Sequence, residues 1–129
     1  MITTAIIALL RESTELNAIV GARIRPNVIK ANEVFPAMYV SSSRMARMGC
    51  DDSTGIKTGV VEIGIHAEKY EQCVSAMTAI RAKLDDFSGV KDGVGITILN
   101  GEELPDEFSE NAERSIKIIE FEAYAQIKI

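Results

Sequence analysis

Lys57-Thr58-Gly59-Val60-Val61-Glu62-Ile63-Gly64-Ile65-His66-Ala67-Glu68 is the stretch on which the fold turns. Val61, Ile63, Ile65 and Ala67 fall on one side of an extended chain, and Val60, Glu62, Gly64, His66 and Glu68 on the other. Period two with one apolar side predicts a strand with one buried face. The period then changes. Tyr70, Cys73, Met77, Ile80 and Leu84 are three and four residues apart, which makes one apolar stripe on a helix running toward Phe87. Gly89 follows where that helix has to stop. A one-faced strand feeding a one-faced helix implies packed layers, and the rest of the chain must complete them.

Downstream, Phe87 to Gly93 reads as a turn region and Val94 to Leu99 as a strand. Asn100-Gly101 is a strong turn dipeptide. Glu102 to Glu113 is acidic, contains Pro105 and reads as a surface loop. The last strand spans Arg114 to Ile129. Ile119, Phe121, Ala123, Ala125, Ile127 and Ile129 share one of its faces; Glu120, Glu122, Tyr124, Gln126 and Lys128 share the other.

Upstream, Thr3 to Val20 reads as one helix or two short ones, with Ser13-Thr14 as a break that caps the second piece and Gly21 as its end. Ala22 to Arg25 reads as a short strand, which Pro26 either holds to an edge or ends. Pro36 to Ser42 is a second strand. Ser43 to Ile56 has no apolar period and reads as a long hairpin arm; connections of that length in compact domains usually have a job or are disordered. The expected architecture is α+β over a single domain, 1–129. It is a two-layer sandwich with a mostly antiparallel sheet of four to five strands, two helices on one face and a β-hairpin arm at 43–56. The other sheet face, with Glu62, His66, Glu120, Glu122 and Tyr124, meets solvent or another subunit.

At 129 residues the chain is long enough to bury one core without staples. Aromatics are 5% and tryptophan is absent, so the core must be mostly aliphatic. A net charge of -5 disfavours a primary role on phosphate backbones or anionic membranes. No run of about 18 apolar residues occurs, so no membrane span is expected. The apolar stretch Ile2 to Leu10 lacks the basic start and cleavage pattern of a secretory signal and is expected to be a helix. Two cysteines, Cys50 in the arm and Cys73 on the helix stripe, make no disulfide framework, which fits a reducing setting.

Candidate chemistry is sparse. His66 is the one histidine; a catalytic base needs a nucleophile and an orienting acid beside it, and the sequence indicates no nucleophile, so it reads as a surface or interface residue. Cys73 reads as a small core residue. Cys50 has Arg44 and Arg47 near it, but Asp51 and Asp52 oppose the electropositive setting a reactive thiol needs. Asp51-Asp52-Ser53-Thr54-Gly55 lacks the alternating ligands and closing glutamate of a calcium loop, so a solvated turn is expected. Glu102, Glu103, Asp106, Glu107 and Glu110 read as a solvated charged loop. No phosphate loop, dinucleotide fingerprint, zinc spacing or nucleophile elbow is present. No catalytic residue, cofactor or metal is expected. The arm, with Arg44, Arg47, Met45 and Met48, reads either as a floppy loop or as a contact arm, since methionines adapt to a partner surface.

Three segments in order carry a resemblance. They are Leu16-Asn17-Ala18-Ile19-Val20-Gly21-Ala22-Arg23-Ile24-Arg25-Pro26 after a first helix, Phe35-Pro36-Ala37-Met38-Tyr39-Val40-Ser41, and Val61 to Tyr70 running into a helix that ends at Arg81-Ala82-Lys83-Leu84. With the final long strand after an acidic loop, the chain resembles the tail-completion, or tail-terminator, proteins of long-tailed bacteriophages and prophages. It departs from them at Arg25, where an aromatic is common. The resemblance implies a structural protein without enzymatic activity: a ring, often of six subunits, at the head-proximal end of the tail tube. There it stops polymerisation and joins the tail to the head connector. Implied partners are copies of itself, the tail tube protein and a head-closure protein, with no membrane; DNA passes through without specific binding. Implied location is the tail–head junction of the virion, with assembly in the host cytoplasm. A closed ring needs two different patches that meet. The expected ones are the arm (Arg44, Met45, Arg47, Met48, Asp51, Asp52) and the polar sheet face (Glu62, His66, Glu122, Tyr124). A second reading stays open: a small ligand-binding or regulatory α+β domain acting as a dimer. It requires a concave pocket with convergent polar groups.

Overall fold

The computed structural model describes residues 2–21, 23–27, 29, 35–47, 56–91, 93–109 and 114–127. Met48, Cys50, Asp51, Asp52 and Glu110 lie outside them.

Two long strands form the middle of the sheet. The strand β3 (Ile56–Ala67) pairs antiparallel with β8 (Arg114–Ile127) along its whole length, from Ile56↔Gln126 to Ala67↔Ser115. Both alternate as the sequence dictates, so the pairing sets two apolar faces side by side. Val61, Ile63, Ile65, Ala67, Ile119, Phe121 and Ala123 are all buried. On the far side of β3 lies β2 (Ala37–Arg47), joined to it as an antiparallel hairpin. The register slips by one residue between Ser43 and Ala46 and resumes at Ala46↔Thr58 and Arg47↔Lys57. That is a bulge, which raises the local twist. Strand pairing therefore runs well into the segment expected to be an arm.

The strand β1 (Ile24–Pro26) runs parallel to β2, with Ile24 opposite Met38. It makes the sheet mixed rather than antiparallel throughout. The other edge of β8 is divided. Its C-terminal half pairs with β5 (Val94–Ile98), which carries β4 (Ser88–Lys91) outside it; its N-terminal half pairs with β6 (Glu102–Glu103) and β7 (Glu107–Ser109). The order is β1-β2-β3-β8-β5-β4.

Three helices accompany the sheet. Helix α1 (Ile2–Leu10) is apolar almost all round, and Ile2, Ala5, Ile6, Ile7, Leu9 and Leu10 are buried. Such a helix has to be enclosed. It touches β1, β2, β4 and β5, strands from both ends of the sheet order, so the sheet curls around it. Helix α2 (Thr14–Val20) starts where Ser13 accepts a hydrogen bond from the Leu16 N–H and ends at Gly21, whose φ of 59° lies in the left-handed region. Helix α3 (Tyr70–Leu84) lies on β3 and β8 through Cys73, Ala76, Met77, Ile80 and Leu84, and α2 packs against it.

Against the sequence expectation, the described residues hold eight strands and three helices, not four to five and two. The break at Ser13 makes two helices of one apolar stretch. Ser88–Lys91, read as turn, is an edge strand. The acidic segment after Gly101 contributes β6 and β7 because β8 is longer than β5 and has backbone left to pair. Tyr70 was placed on the buried stripe, but it is 49% exposed and donates to Asp106 at 2.8 Å instead. Helix α3 ends before Gly89: Asp86, with φ 59°, makes the turn.

Candidate functional site

Helices α1 and α3 lie against the apolar side of the sheet, and α2 packs on α3. The other side is the candidate site, and its side chains are read off the register in rows. Ala37, His66, Ile116 and Glu107 form one row; Arg25, Tyr39, Gly64 and Ile118 the next; Ser41, Glu62, Glu120 and Glu102 the third. Val60 and Glu122 follow, then Thr58, Tyr124 and Thr97. Of the expected interface residues, Glu62, His66, Glu122 and Tyr124 are thus on one face. Tyr39, Ile116, Ile118, Glu120 and Glu102 join them. These positions are half-buried or exposed, apart from Ala37 and Gly64, whereas the opposite side is packed shut.

Tyr39 organises one end of the face. Its ring crosses to Gly64, and its hydroxyl donates to the Glu62 Oε2 at 2.6 Å. Burial, and then the Glu62 carboxylate, hold the phenol above its ordinary pKa. His66 meets the Tyr39 ring edge-on at 6.1 Å and the Phe35 ring at 6.3 Å. Arg114 sits over the other partner, 5.0 Å from the Phe35 centroid. Burial, and then the Arg114 charge, lower the His66 pKa from 6.5 to about 4, so the ring is neutral near pH 7. Its Nδ1 and the Arg114 Nε are buried without a hydrogen-bond partner among the described residues. His66 therefore stands among two rings and a guanidinium.

The middle of the face is acidic. Glu62 lies directly opposite Glu120, and Glu120 directly opposite Glu102. Among the described residues no salt bridge reaches any of the three; the ion pairs involve Glu12, Asp85, Glu103 and Asp106. Like charges opposite one another across strands cost stability. Further along, Tyr124 donates to the Glu122 Oε1 at 3.2 Å, which raises the phenol pKa. Tyr124 also borders a shallow hollow of 280 Å³ beside Gly95, Thr97 and Gln126. It opens on this outer face.

The other sequence candidates have structural places. Cys73 is buried, with its thiol donating to the Ser115 carbonyl at 3.4 Å; burial raises its pKa. The acidic segment is exposed, as expected, but two of its stretches pair as strands and some of its charges are engaged. Glu103 pairs with Arg81 at 2.8 Å, and Lys117 holds Asp106 at 2.7 Å and Glu103 at 3.3 Å. Arg44, Met45 and Arg47 lie in the outer half of β2. Met48, Asp51 and Asp52 fall outside the described residues. Sequence reading missed Tyr39 and Glu102 as members of the face. Tyr39 was legible from its place between Met38 and Val40 in an alternating strand; Glu102 was not, since nothing local marks β6 as a strand. Among the described residues no three His, Cys, Asp or Glu side chains are grouped to hold a metal ion.

Comparison with known proteins bears on this surface. The family described as Tail completion protein gp17 matches over residues 4–113. A chain of the virion of the native gene transfer agent (GTA) particle is 20% identical, covering 98% of this chain and 94% of that one, with a TM-score of 0.61. A second solved structure is 10% identical, covering 98% and 96%, with a TM-score of 0.64. At these identities the two structures share the fold. No curated protein sequence matches significantly.

Proposed function

The chain belongs to the Tail completion protein gp17 family, and from that premise we propose that it is a structural virion protein that caps the head-proximal end of the tail tube as a ring. The ring, of six copies, ends tube polymerisation and presents the surface that joins the head connector. Its partners are copies of itself, the tail tube protein and a head-closure protein. It works at the tail–head junction after assembly in the host cytoplasm, without enzymatic activity. DNA passes through it without specific binding, which a net charge of -5 favours by repulsion.

One observation carries this reading: a sheet face with Val60, Ile116, Ile118 and Tyr124 set among carboxylates is left uncovered by the helices of the described residues. A mixed apolar and charged face of that kind suits docking to protein. The fold's match to a chain of the GTA virion supports a place in an assembled particle. Among the described residues no helix is long and apolar enough to cross a membrane.

The test is tube capping. Purified protein added to polymerising tail tube protein is expected to stop growth and to appear as a ring at one end in electron micrographs. Shortening the hairpin between Arg44 and Gly55 is expected to leave a folded chain that no longer caps. Tubes of unchanged length would overturn the reading.

A further inference from the structure

We propose that the free edge of β4 is a docking site for an extended segment of a partner protein, one that alternates apolar side chains and carries a basic residue. The segment adds to the sheet as an outer strand and lays an apolar side chain over the hollow beside Gly95. The site belongs to one chain's backbone and needs neither a ring nor a tail tube.

The backbone phase leaves this edge open. The Ile98 N–H donates to the Phe87 carbonyl at 2.8 Å. Phe87 and Ile98 are therefore a hydrogen-bonded pair, and the alternation continues with Gly89–Ile96 and Lys91–Val94. Ser88 and Val90 fall between these pairs and aim their N–H and C=O groups away from β5. Strand β4 ends the strand order, and among the described residues no strand pairs with its outer side. Ser88 and Val90 are both exposed, Val90 to 61%.

Sheet edges normally carry a device against strand addition. At the other end of the order β1 stops at Pro26. The segment 102–109 beside β8 carries Pro105 together with Glu102, Glu103, Asp106 and Glu107. Strand β4, Ser88-Gly89-Val90-Lys91, has no proline, and its one charge, Lys91, is bound to Glu12 between α1 and α2.

The face beside the edge has room for a side chain. Val90, Gly95 and Gln126 form one row across the outer face, Ser88, Thr97 and Tyr124 the next, and Leu99 follows beside Glu122. Gly95 has no side chain, and the hollow of 280 Å³ lies between Ser88 and Val90 on one side and Tyr124 and Gln126 on the other. A residue of an added strand opposite Ser88 stands about 5 Å from it. Serine is short, so a long apolar or aromatic side chain there passes over it toward the Tyr124 ring. Backbone pairing supplies affinity, and the hollow supplies the preference for that side chain. The exposed carboxylates Asp86, just before β4, and Glu122, beside Tyr124, stand at the Ser88 end. Neither is in an ion pair of the described residues, so they select a basic residue at that end of the segment.

The probe is a short synthetic peptide that alternates phenylalanine with threonine and carries lysine at both ends. Added to the full chain, it is expected to slow hydrogen exchange at the Ser88 and Val90 amides by about tenfold or more, read by NMR. The same peptide with proline in place of threonine lacks the N–H groups that pair, and is expected to leave those amides unchanged. V90P removes one outward N–H at a position where an edge tolerates proline, and G95L fills the hollow; each is expected to weaken peptide binding by about tenfold or more. Thermal melting reports whether each variant is folded, and exchange in the wild type decides the matter without them. A wild-type chain that does not bind the peptide overturns the proposal. So does one that binds it while the Ser88 and Val90 amides exchange as in the free chain, and so does binding that folded V90P and G95L leave undiminished.

Discussion

The ring of Tyr39 lies so close over Gly64 that a Cβ at position 64 would stand 2.2 Å from the Tyr39 Cε1. The two residues are register partners on β2 and β3. The glycine is there for close approach, since its backbone needs no positive φ. An aromatic lying over a bare backbone position replaces the missing side chain and pins the register. It also delivers the Tyr39 hydroxyl to Glu62, two residues along β3.

Gly64→Ala is therefore expected to push the Tyr39 ring off its seat and to destabilise the chain by about 1–3 kcal/mol. Urea denaturation reads the loss. Tyr39→Ala introduced into Gly64→Ala is expected to cost less than Tyr39→Ala in the wild type, since the clash is then gone. Additive losses would mean that the two residues act independently.

His66 sets a pH dependence. Its folded pKa of about 4 lies below its ordinary 6.5. The unfolded chain therefore binds the proton first, and stability falls as pH drops from 6.5 toward 4. Partial exposure discounts the effect to about 1–2 kcal/mol. The lowered carboxylates Glu12, Glu103 and Asp106 act in the other window: their stabilisation is present above about pH 4.5 and is lost below it. Between pH 6.5 and 4.5 the slope belongs to His66. His66→Gln is expected to flatten the urea midpoint across that interval, and an unchanged slope would contradict the assignment.

Lys117 is the hub that holds the acidic segment. Its side chain is 13% exposed, bonds both Glu103 and Asp106 and sits 5.7 Å from the Tyr70 ring centroid. Both partners raise its pKa, Asp106 more than Glu103. Lys117→Met is expected to lower the urea midpoint only modestly, because Glu103 and Asp106 stay solvated when their shared cation is lost. Hydrogen exchange should speed most at Leu104, whose N–H bonds the Ile118 carbonyl and ties the segment to β8. Lys83→Met removes an exposed bridge to Glu12 and is expected to leave the urea midpoint almost unchanged.

What the sequence made legible was decided by periodicity. Strands β3 and β8 and helix α3 alternate or repeat cleanly, so their buried faces could be read directly. Ser13 and Gly21 announced the ends of α2 through capping chemistry. The missing parts are those that tertiary pairing creates. Glu102–Glu103 and Glu107–Ser109 have no strand pattern and become strands because β8 offers an unpaired edge. The parallel β1–β2 pair depends on where residues 27–36 return the chain, which no local signal reports. Gly101 was read as a turn residue, yet a Cβ there would stand 2.6 Å from Ile119 Cδ1 and Phe121 Cε1, so it is also a packing position. The acidic row was half visible: Glu62 and Glu120 followed from alternation, while Glu102 entered only with β6.

Glu120 is the middle carboxylate of that row, facing Glu62 on one side and Glu102 on the other. Neutralising it removes two unfavourable cross-strand pairs at once. Glu120→Gln keeps the shape of the side chain, so the isolated chain is expected to gain about 0.2–1 kcal/mol, seen as a higher urea midpoint in low salt and a smaller gain in high salt. A loss of stability in Glu120→Gln would mean that the row is balanced within the chain.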